Sequence, residues 1–222
     1  MSGAFVVLEG PEGGGKTSQA RALAAALTEA GYPTVLTREP GGTQLGSAIR
    51  DITLPISSVS ISARSEVLLY CASRAQLMEA VVRPALAQGH IVVSDRFGYS
   101  TIAYQGHGRG LDVDSVSGVV RFATGGLEPD LSILLDLTPE AGLDRKRGLM
   151  LAGNADEWNR FEEEEFAFHS RVRKGYLEMA RNAPAGSWVV LDASLPFEAL
   201  QAKIMEVVSA MLEHKRVLRQ TV

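Results

Sequence analysis

The chain has 222 residues, 45% of them hydrophobic and 22% charged, with a formal net charge of −4. That length and apolar content suffice for one well-packed core. The acidic balance argues against a general nucleic-acid binder, which would be basic, while leaving room for a local group of arginines around a small anion.

Short β-branched runs alternate with longer helical patterns. AFVVLEG (4–10) predicts a strand and KTSQARALAAALTEAG (16–31) a helix ended by Gly31. PTVLTREP (33–40) predicts a second strand, TQLGSAIRDI (43–52) a short helix and LPISSVSIS (54–62) a loop. Residues 63–89 read as one long helix bent or broken at Pro84. HIVVSDR (90–96) predicts a strand, and STIAYQGHGRG (100–110) a loop-plus-helix segment lining a polar site. LSILLDL (131–137) predicts a strand, followed by a helix over 138–148 with Thr138 as N-cap and Pro139 in its first turn. Residues 149–159 read as a mobile loop or lid, and Glu162 to Glu165 as a solvated helix start. SWVVLDA (187–193) is the fifth strand and 196–216 the last helix, whose His214-Lys215-Arg216 would match the helix C-terminal charge. Continuously apolar strands between helices predict a five-stranded parallel α/β sheet covered on both faces, a single domain over 1–222.

One cysteine, Cys71, excludes an internal disulfide; in its apolar helical setting it reads as a small buried hydrophobe, compatible with a reducing compartment. No basic leader with a cleavage site precedes the first strand, and no apolar run approaches membrane-spanning length. The expectation is a soluble, cytoplasmic chain that binds neither membrane nor nucleic acid. The four histidines are scattered and form no metal-ligand spacing.

Gly10-Pro11-Glu12-Gly13-Gly14-Gly15-Lys16-Thr17 fits G-x-x-x-x-G-K-[ST] between a strand and a helix. Its backbone N–H groups would cradle phosphates, Lys16 would reach the β- and γ-phosphates and Thr17 would reach Mg²⁺. Asp95 and Arg96 follow the third strand, where ligands of open α/β sheets bind; the acid suits Mg²⁺ and the guanidinium suits phosphate. Asp95 to Gly98 also fits D-x-x-G, but no N-K-x-D guanine reader occurs, which weighs against a GTPase.

Arg38 ends the second strand ahead of the turn Pro40-Gly41-Gly42, and Arg50 lies one helix further on. Tyr70 alone would read as core; four residues before Arg74 it places a ring and a planar donor on one helix face, which suits a nucleobase. Two sets of phosphate-handling groups, the P-loop and Arg38 with Arg96 and Arg50, point to a kinase acting on a phosphorylated acceptor. A kinase for another monophosphate or a deoxynucleoside, and a nucleotide switch or inert binding module, are the competing readings.

EGPEGGGKTSQ, TREPGGTQLGSAIR, SEVLLYCASRAQL, SDRF, STIAYQGHGRG and FHSRVRKGYLEMA, in this order, resemble the bacterial thymidylate (dTMP) kinases over nearly the whole chain. The resemblance implies a three-layer P-loop kinase core with a lid at about 145–160, a homodimer, and ATP-dependent phosphorylation of dTMP to dTDP with Mg²⁺. It implies that Tyr70 stacks on thymine and Arg74 contacts its exocyclic oxygen. Thr101, Tyr104 and Gln105 would line the base and sugar pocket, and Arg38 and Arg96 would hold the acceptor phosphate. Asp95 would position Mg²⁺, and Glu12 would accept from the sugar 3′-hydroxyl or reach Mg²⁺ through water. With Gly13 at the P-loop position where some members carry Arg, the catalytic Arg should come from the lid: Arg160, with Arg147 and Arg145 behind it. Glu12 in place of the usual Asp, Tyr70 in place of Phe and Asn159 in place of Asp depart from the family pattern.

Overall fold

The computed structural model describes residues 3–56, 60–152 and 159–220. Five strands, β1 (Ala4–Glu9), β2 (Thr34–Arg38), β3 (Ile91–Asp95), β4 (Leu131–Asp136) and β5 (Trp188–Asp192), form one sheet in the order β2-β3-β1-β4-β5. Every pairing is parallel, as continuously apolar strands require. β1 shows why: Ala4, Val6 and Leu8 enter the core beneath α1 (Lys16–Glu29) and α9 (Phe197–Gln220) with Leu23, Leu27, Ile204 and Val208. Phe5 and Val7 point the other way, onto Leu77, Met78 and Val82. Alternate residues thus feed two helical layers.

Helix α2 (Gln44–Thr53) is capped by the Thr43 hydroxyl, which accepts from Gly46 N–H at 3.0 Å. The long helical pattern is not broken at Pro84. It runs as α3 (Ala63–Leu77), a π-helical turn over Met78–Val82, and α4 (Arg83–Ala87). Proline has no N–H and its ring crowds the carbonyl four residues back, so the ladder widens in the turn ahead of Pro84 instead of ending there.

The 100–110 segment, expected as a loop plus a helix, is helical as far as Gly108. It is α5 (Gly98–Thr101) continuing into a π-helical stretch, Ile102–Gly108, packed on α8 (Phe166–Asn182). Glycines on both sides serve close approach: a Cβ on Gly108 would lie 2.6 Å from the Phe168 ring, and one on Gly175 of α8 would lie 2.5 Å from the His107 ring. Helix α6 (Val113–Thr124), capped by Asp112 and ended by left-handed Gly125, has no counterpart in the sequence reading.

Helix α7 (Pro139–Leu151) starts at Thr138 as expected, its hydroxyl accepting from Ala141 N–H. The Glu162–Glu165 run is a solvated helix start only in part: Glu163 and Glu165 are exposed and Glu165 is the N-cap of α8. Glu162 is buried beside Lys146 at 3.1 Å, Glu164 pairs with Arg109 at 2.6 Å, and α8 begins at Phe166 with no acid in its first turn. Lys215 is not a terminal charge match either: α9 runs on past it, and its ammonium meets Asp130 at 2.6 Å. The central part of the expected lid, 153–158, lies outside the described residues. Among the described residues, no helix is long and apolar enough to cross a membrane.

Candidate active site

The carboxyl ends of β1, β2 and β3 open onto a cavity of about 770 Å³. The P-loop forms its floor. Gly13 sits at φ 72° against α7, and a Cβ there would fall 2.3 Å from the Gly142 carbonyl. Only glycine lets the loop pass so close to α7 at that angle. Lys16 donates to the Pro11 carbonyl at 2.7 Å. Burial, then Arg96, pulls its ammonium down to about 8, against the opposing pull of Glu12, Asp95 and Glu9.

A bound triphosphate would restore the Lys16 charge. Nucleotide affinity should therefore fall as pH rises through about 8, with protons taken up on binding. Calorimetric titrations at about pH 8.5 in two buffers of different ionisation enthalpy check this. Buffer-independent heats would contradict it.

Thr17 Oγ1 donates to Asp95 Oδ2 at 2.5 Å. A hydroxyl beside a carboxylate at the P-loop is a hard-oxygen donor pair of the kind that would hold Mg²⁺. Among the described residues no cluster of three His, Cys, Asp or Glu forms. A site of few protein ligands, shared with substrate phosphate, is what this donor set fits.

Arg96 stands at the centre. Its backbone has φ 73°, a conformation bulky residues rarely adopt. Three bonds impose it: Arg96 N–H donates to the Leu8 carbonyl at 2.9 Å, Ser94 Oγ donates to the Arg96 carbonyl at 2.7 Å, and Phe97 N–H donates to Glu9 Oε1 at 2.8 Å. Such over-determination is how a strained conformation persists. The guanidinium Nη1 donates to the Gly10 carbonyl, Ser100 Oγ and the Tyr176 hydroxyl at 3.1–3.3 Å. Nη2 meets Glu12 Oε1 at 2.8 Å and the Tyr104 hydroxyl at 3.1 Å. Among the described residues Nε–H has no hydrogen-bond partner, which leaves it for a ligand.

Glu12 turns away from the P-loop amides toward Arg96. Tyr104 O–H donates to its Oε1 at 2.7 Å. Burial would raise its pKa, but Arg96, Lys16 and Lys146 outweigh burial and hold the carboxyl at about 2. It is therefore charged at any working pH.

The far wall carries Tyr70 and Arg74. Arg74, 2% exposed, is locked: Nε donates to Glu39 Oε2 at 2.8 Å and Nη2 to Thr101 Oγ1 at 3.1 Å. Burial pushes Glu39 up to about 7 against the pull of Arg74. Tyr70 lines the cavity, and its hydroxyl accepts from Arg160 Nη2 at 3.3 Å.

A thymidylate kinase family model matches residues 8–204. The chain belongs to the thymidylate kinase family. It is 45% identical over 214 residues to the thymidylate kinase of Roseiflexus sp., covering 94% of each chain. It is also 45% identical to that of Deinococcus radiodurans, covering 93% of this chain and 97% of the other. A crystal structure of thymidylate kinase from Ehrlichia chaffeensis superposes with a TM-score of 0.74 at 28% identity, over 94% of this chain and 99% of that one.

Of the residues singled out in the sequence, Glu12, Gly13, Gly15, Lys16, Thr17, Arg38, Arg50, Tyr70, Arg74, Asp95, Arg96, Thr101, Tyr104, Gln105 and Arg145 all face this one cavity. Gly10, Pro11 and Gly14 complete the loop behind them. Arg50 donates to the Pro40 carbonyl, and burial, with Arg38 beside it, pulls its pKa down.

Arg147, expected with Arg145 to bind ATP, and Arg160, expected to be catalytic, do not line the cavity. Arg147 is mostly exposed and pairs with Asp144 on its own helix. Arg160 turns to the acceptor wall: it donates to the Thr53 carbonyl, to Glu66 Oε1 at 2.5 Å and to Tyr70. Arg145 fastens α7 to the Ala193 carbonyl at 2.7 Å beside the P-loop.

The sequence reading missed Glu9, whose signal was present: a carboxylate ending an otherwise apolar strand, here 0% exposed. Its Oε2 accepts from Ser100 at 2.6 Å and Tyr176 at 2.9 Å, the two hydroxyls that hold Arg96. Lys146 and Phe197, which also line the cavity, carried no such signal.

Proposed function

We propose that this chain phosphorylates dTMP to dTDP, taking the γ-phosphoryl group of ATP held with Mg²⁺ on Lys16, Thr17 and Asp95. The single observation carrying this reading is the shared cavity. A phosphate cradle at one end and the Tyr70–Arg74 wall at the other are joined by Arg96 and Arg38. ATP lies along the P-loop, with Arg145 beside it. The acceptor base lies on Tyr70, and its phosphate meets Arg38, Arg50 and Arg96. Glu12 keeps Oε1 on Arg96 and Tyr104 and turns Oε2 to the sugar 3′-hydroxyl.

The acceptor phosphate is already an anionic nucleophile, so no general base is needed. Mg²⁺, when bound, neutralises charge on the phosphates. The protein aligns the two anions, spreads cationic donors around the transferring group and excludes water. Arg160 acts by holding the Tyr70 wall, and Lys16 and Arg96 are the cations on either side of the transferring phosphoryl.

A homodimer in the cytoplasm completes the reading. Phe122 on α6 and Leu68 on α3 are 88% and 62% exposed on helices that pack together through Val67, Cys71, Val116 and Val120. An apolar face of this kind suits a second copy, and sedimentation velocity would report its mass.

A coupled ADP-release assay over dTMP, dUMP, dCMP, dGMP and AMP tests the activity. The expected order places dTMP first; best turnover with a purine monophosphate would sink it.

A further inference from the structure

The Gln105 side chain is 1% exposed and lines the cavity beside Tyr70 and Arg74. An amide has two near-isosteric ends, one that only donates and one that only accepts. Which end faces a ligand is set by what the other end meets. Here the NH₂ end meets a carboxylate: Gln105 Nε2 donates to Glu66 Oε2 at 2.8 Å.

Glu66, 0% exposed in the first turn of α3, is crowded with donors. Besides Gln105, Arg109 donates through Nε to Oε2 at 3.3 Å and through Nη2 to Oε1 at 3.2 Å, while Arg160 donates to Oε1 at 2.5 Å. Four donors fill a carboxylate's acceptor sites, and a carboxylate has no hydrogen to donate in return. Turning the Gln105 amide over would press its carbonyl oxygen against a carboxylate oxygen. The backbone cannot yield, because the Ile102–Gly108 stretch is packed on α8. The Gln105 carbonyl is therefore left on the cavity side, and it takes no hydrogen bond among the described residues.

We propose that Glu66 is a positioning residue for base choice: by holding the Gln105 amide with its carbonyl toward the cavity, it presents an acceptor to the edge of the acceptor base. This rests on the reading that the base lies on Tyr70. An acceptor there pairs with a ring N–H, as in thymine or uracil, and opposes the bare ring nitrogen of cytosine. Arg74 beside it offers only donors, which suit an exocyclic oxygen and repel an amino group. The two side chains together select a 4-oxo pyrimidine over a 4-amino one.

Glu66→Gln tests this, because the new amide meets either orientation of Gln105 equally well. The expected result is that the kcat/KM ratio of dTMP over dCMP narrows by roughly ten-fold or more, with dCMP turnover rising as dTMP turnover falls. Arg109→Leu removes charge from the same carboxylate without touching the amide. It should lower thermal stability and leave the ratio within about two-fold. Equal losses on both substrates in Glu66→Gln, with the ratio unchanged, would overturn the inference while leaving the base site standing. A wild-type enzyme indifferent to dTMP and dCMP would overturn the base-site reading and the inference with it. Should Glu66→Gln not fold, the wild-type protein decides. N3-methyl-dTMP, which lacks the ring N–H, should compete with dTMP at least about ten-fold more weakly, and equal competition would overturn the assignment.

Discussion

Arg96→Ala should lower kcat/KM for dTMP by about 10³-fold, roughly 4 kcal/mol of transition-state stabilisation. One guanidinium joins the two halves of the site. It pairs with Glu12 at 2.8 Å, bonds both tyrosine hydroxyls, Tyr104 and Tyr176, and keeps Nε–H for the ligand. Its loss removes one of the cations that hold the acceptor phosphate in the proposed reading. It also takes from buried Glu12 its largest counter-charge and from buried Glu9 its facing guanidinium, and breaking a buried pair costs about 3–5 kcal/mol. Thermal denaturation must therefore accompany the kinetics. Arg96→Lys separates the two effects: charge is kept and the forked geometry lost. Lys should restore much of the stability while turnover stays at least about ten-fold down. An Arg96→Lys enzyme with wild-type kcat/KM would show that the fork has no catalytic part.

Asp95→Asn should cost about 10²-fold in kcat and raise the Mg²⁺ concentration for half-maximal rate. Asn retains an oxygen to accept from Thr17 and nearly the same volume, so the fold should stand. What it lacks is the negative charge at the end of β3, 9% exposed, against which a divalent cation would sit. A Mg²⁺ titration of rate at saturating ATP and dTMP checks this. An unchanged metal response with a lowered rate would move Asp95 from the metal to the orientation of Thr17.

The donor half of this site was legible because its chemistry is local. An apolar run, a glycine loop and a Lys-Thr pair within 14 residues, 4–17, specify strand, cradle and helix start together. The sheet was legible for the same reason: each strand carries its own apolar run. The acceptor half is built from residues far apart in sequence. Glu66 reads as an ordinary acid in a helix's first turn until Gln105, Arg109 and Arg160 are folded onto it. Nothing near Arg160 in sequence says that its guanidinium answers the Tyr70 hydroxyl. Composition misled over 100–110 because the small residues that let Ile102–Gly108 press on α8 are those that make loops. The acid run 162–165 misled because charge alone does not reveal that Lys146 and Arg109 wait inside the fold.

Glu12, the carboxylate in the P-loop, shows what tertiary context adds. In sequence it is a negative charge where anions gather. In the fold it faces Arg96 and Tyr104, and its charge is sustained by Arg96, Lys16 and Lys146. Glu12→Gln with unchanged turnover on dTMP would show that this charge has no part in acceptor alignment.

The central claim is that one cavity holds both substrates, with the acceptor base on Tyr70 and its phosphate on Arg96. A crystal structure of the protein with dTMP and a non-hydrolysable ATP analogue tests it most directly. The account predicts the pyrimidine ring stacked on Tyr70 and the acceptor phosphate within hydrogen-bonding reach of Arg96 and Arg38. The γ-phosphate should lie between that phosphate and Lys16. A monophosphate bound with its base away from Tyr70, or its phosphate out of reach of Arg96, would contradict it.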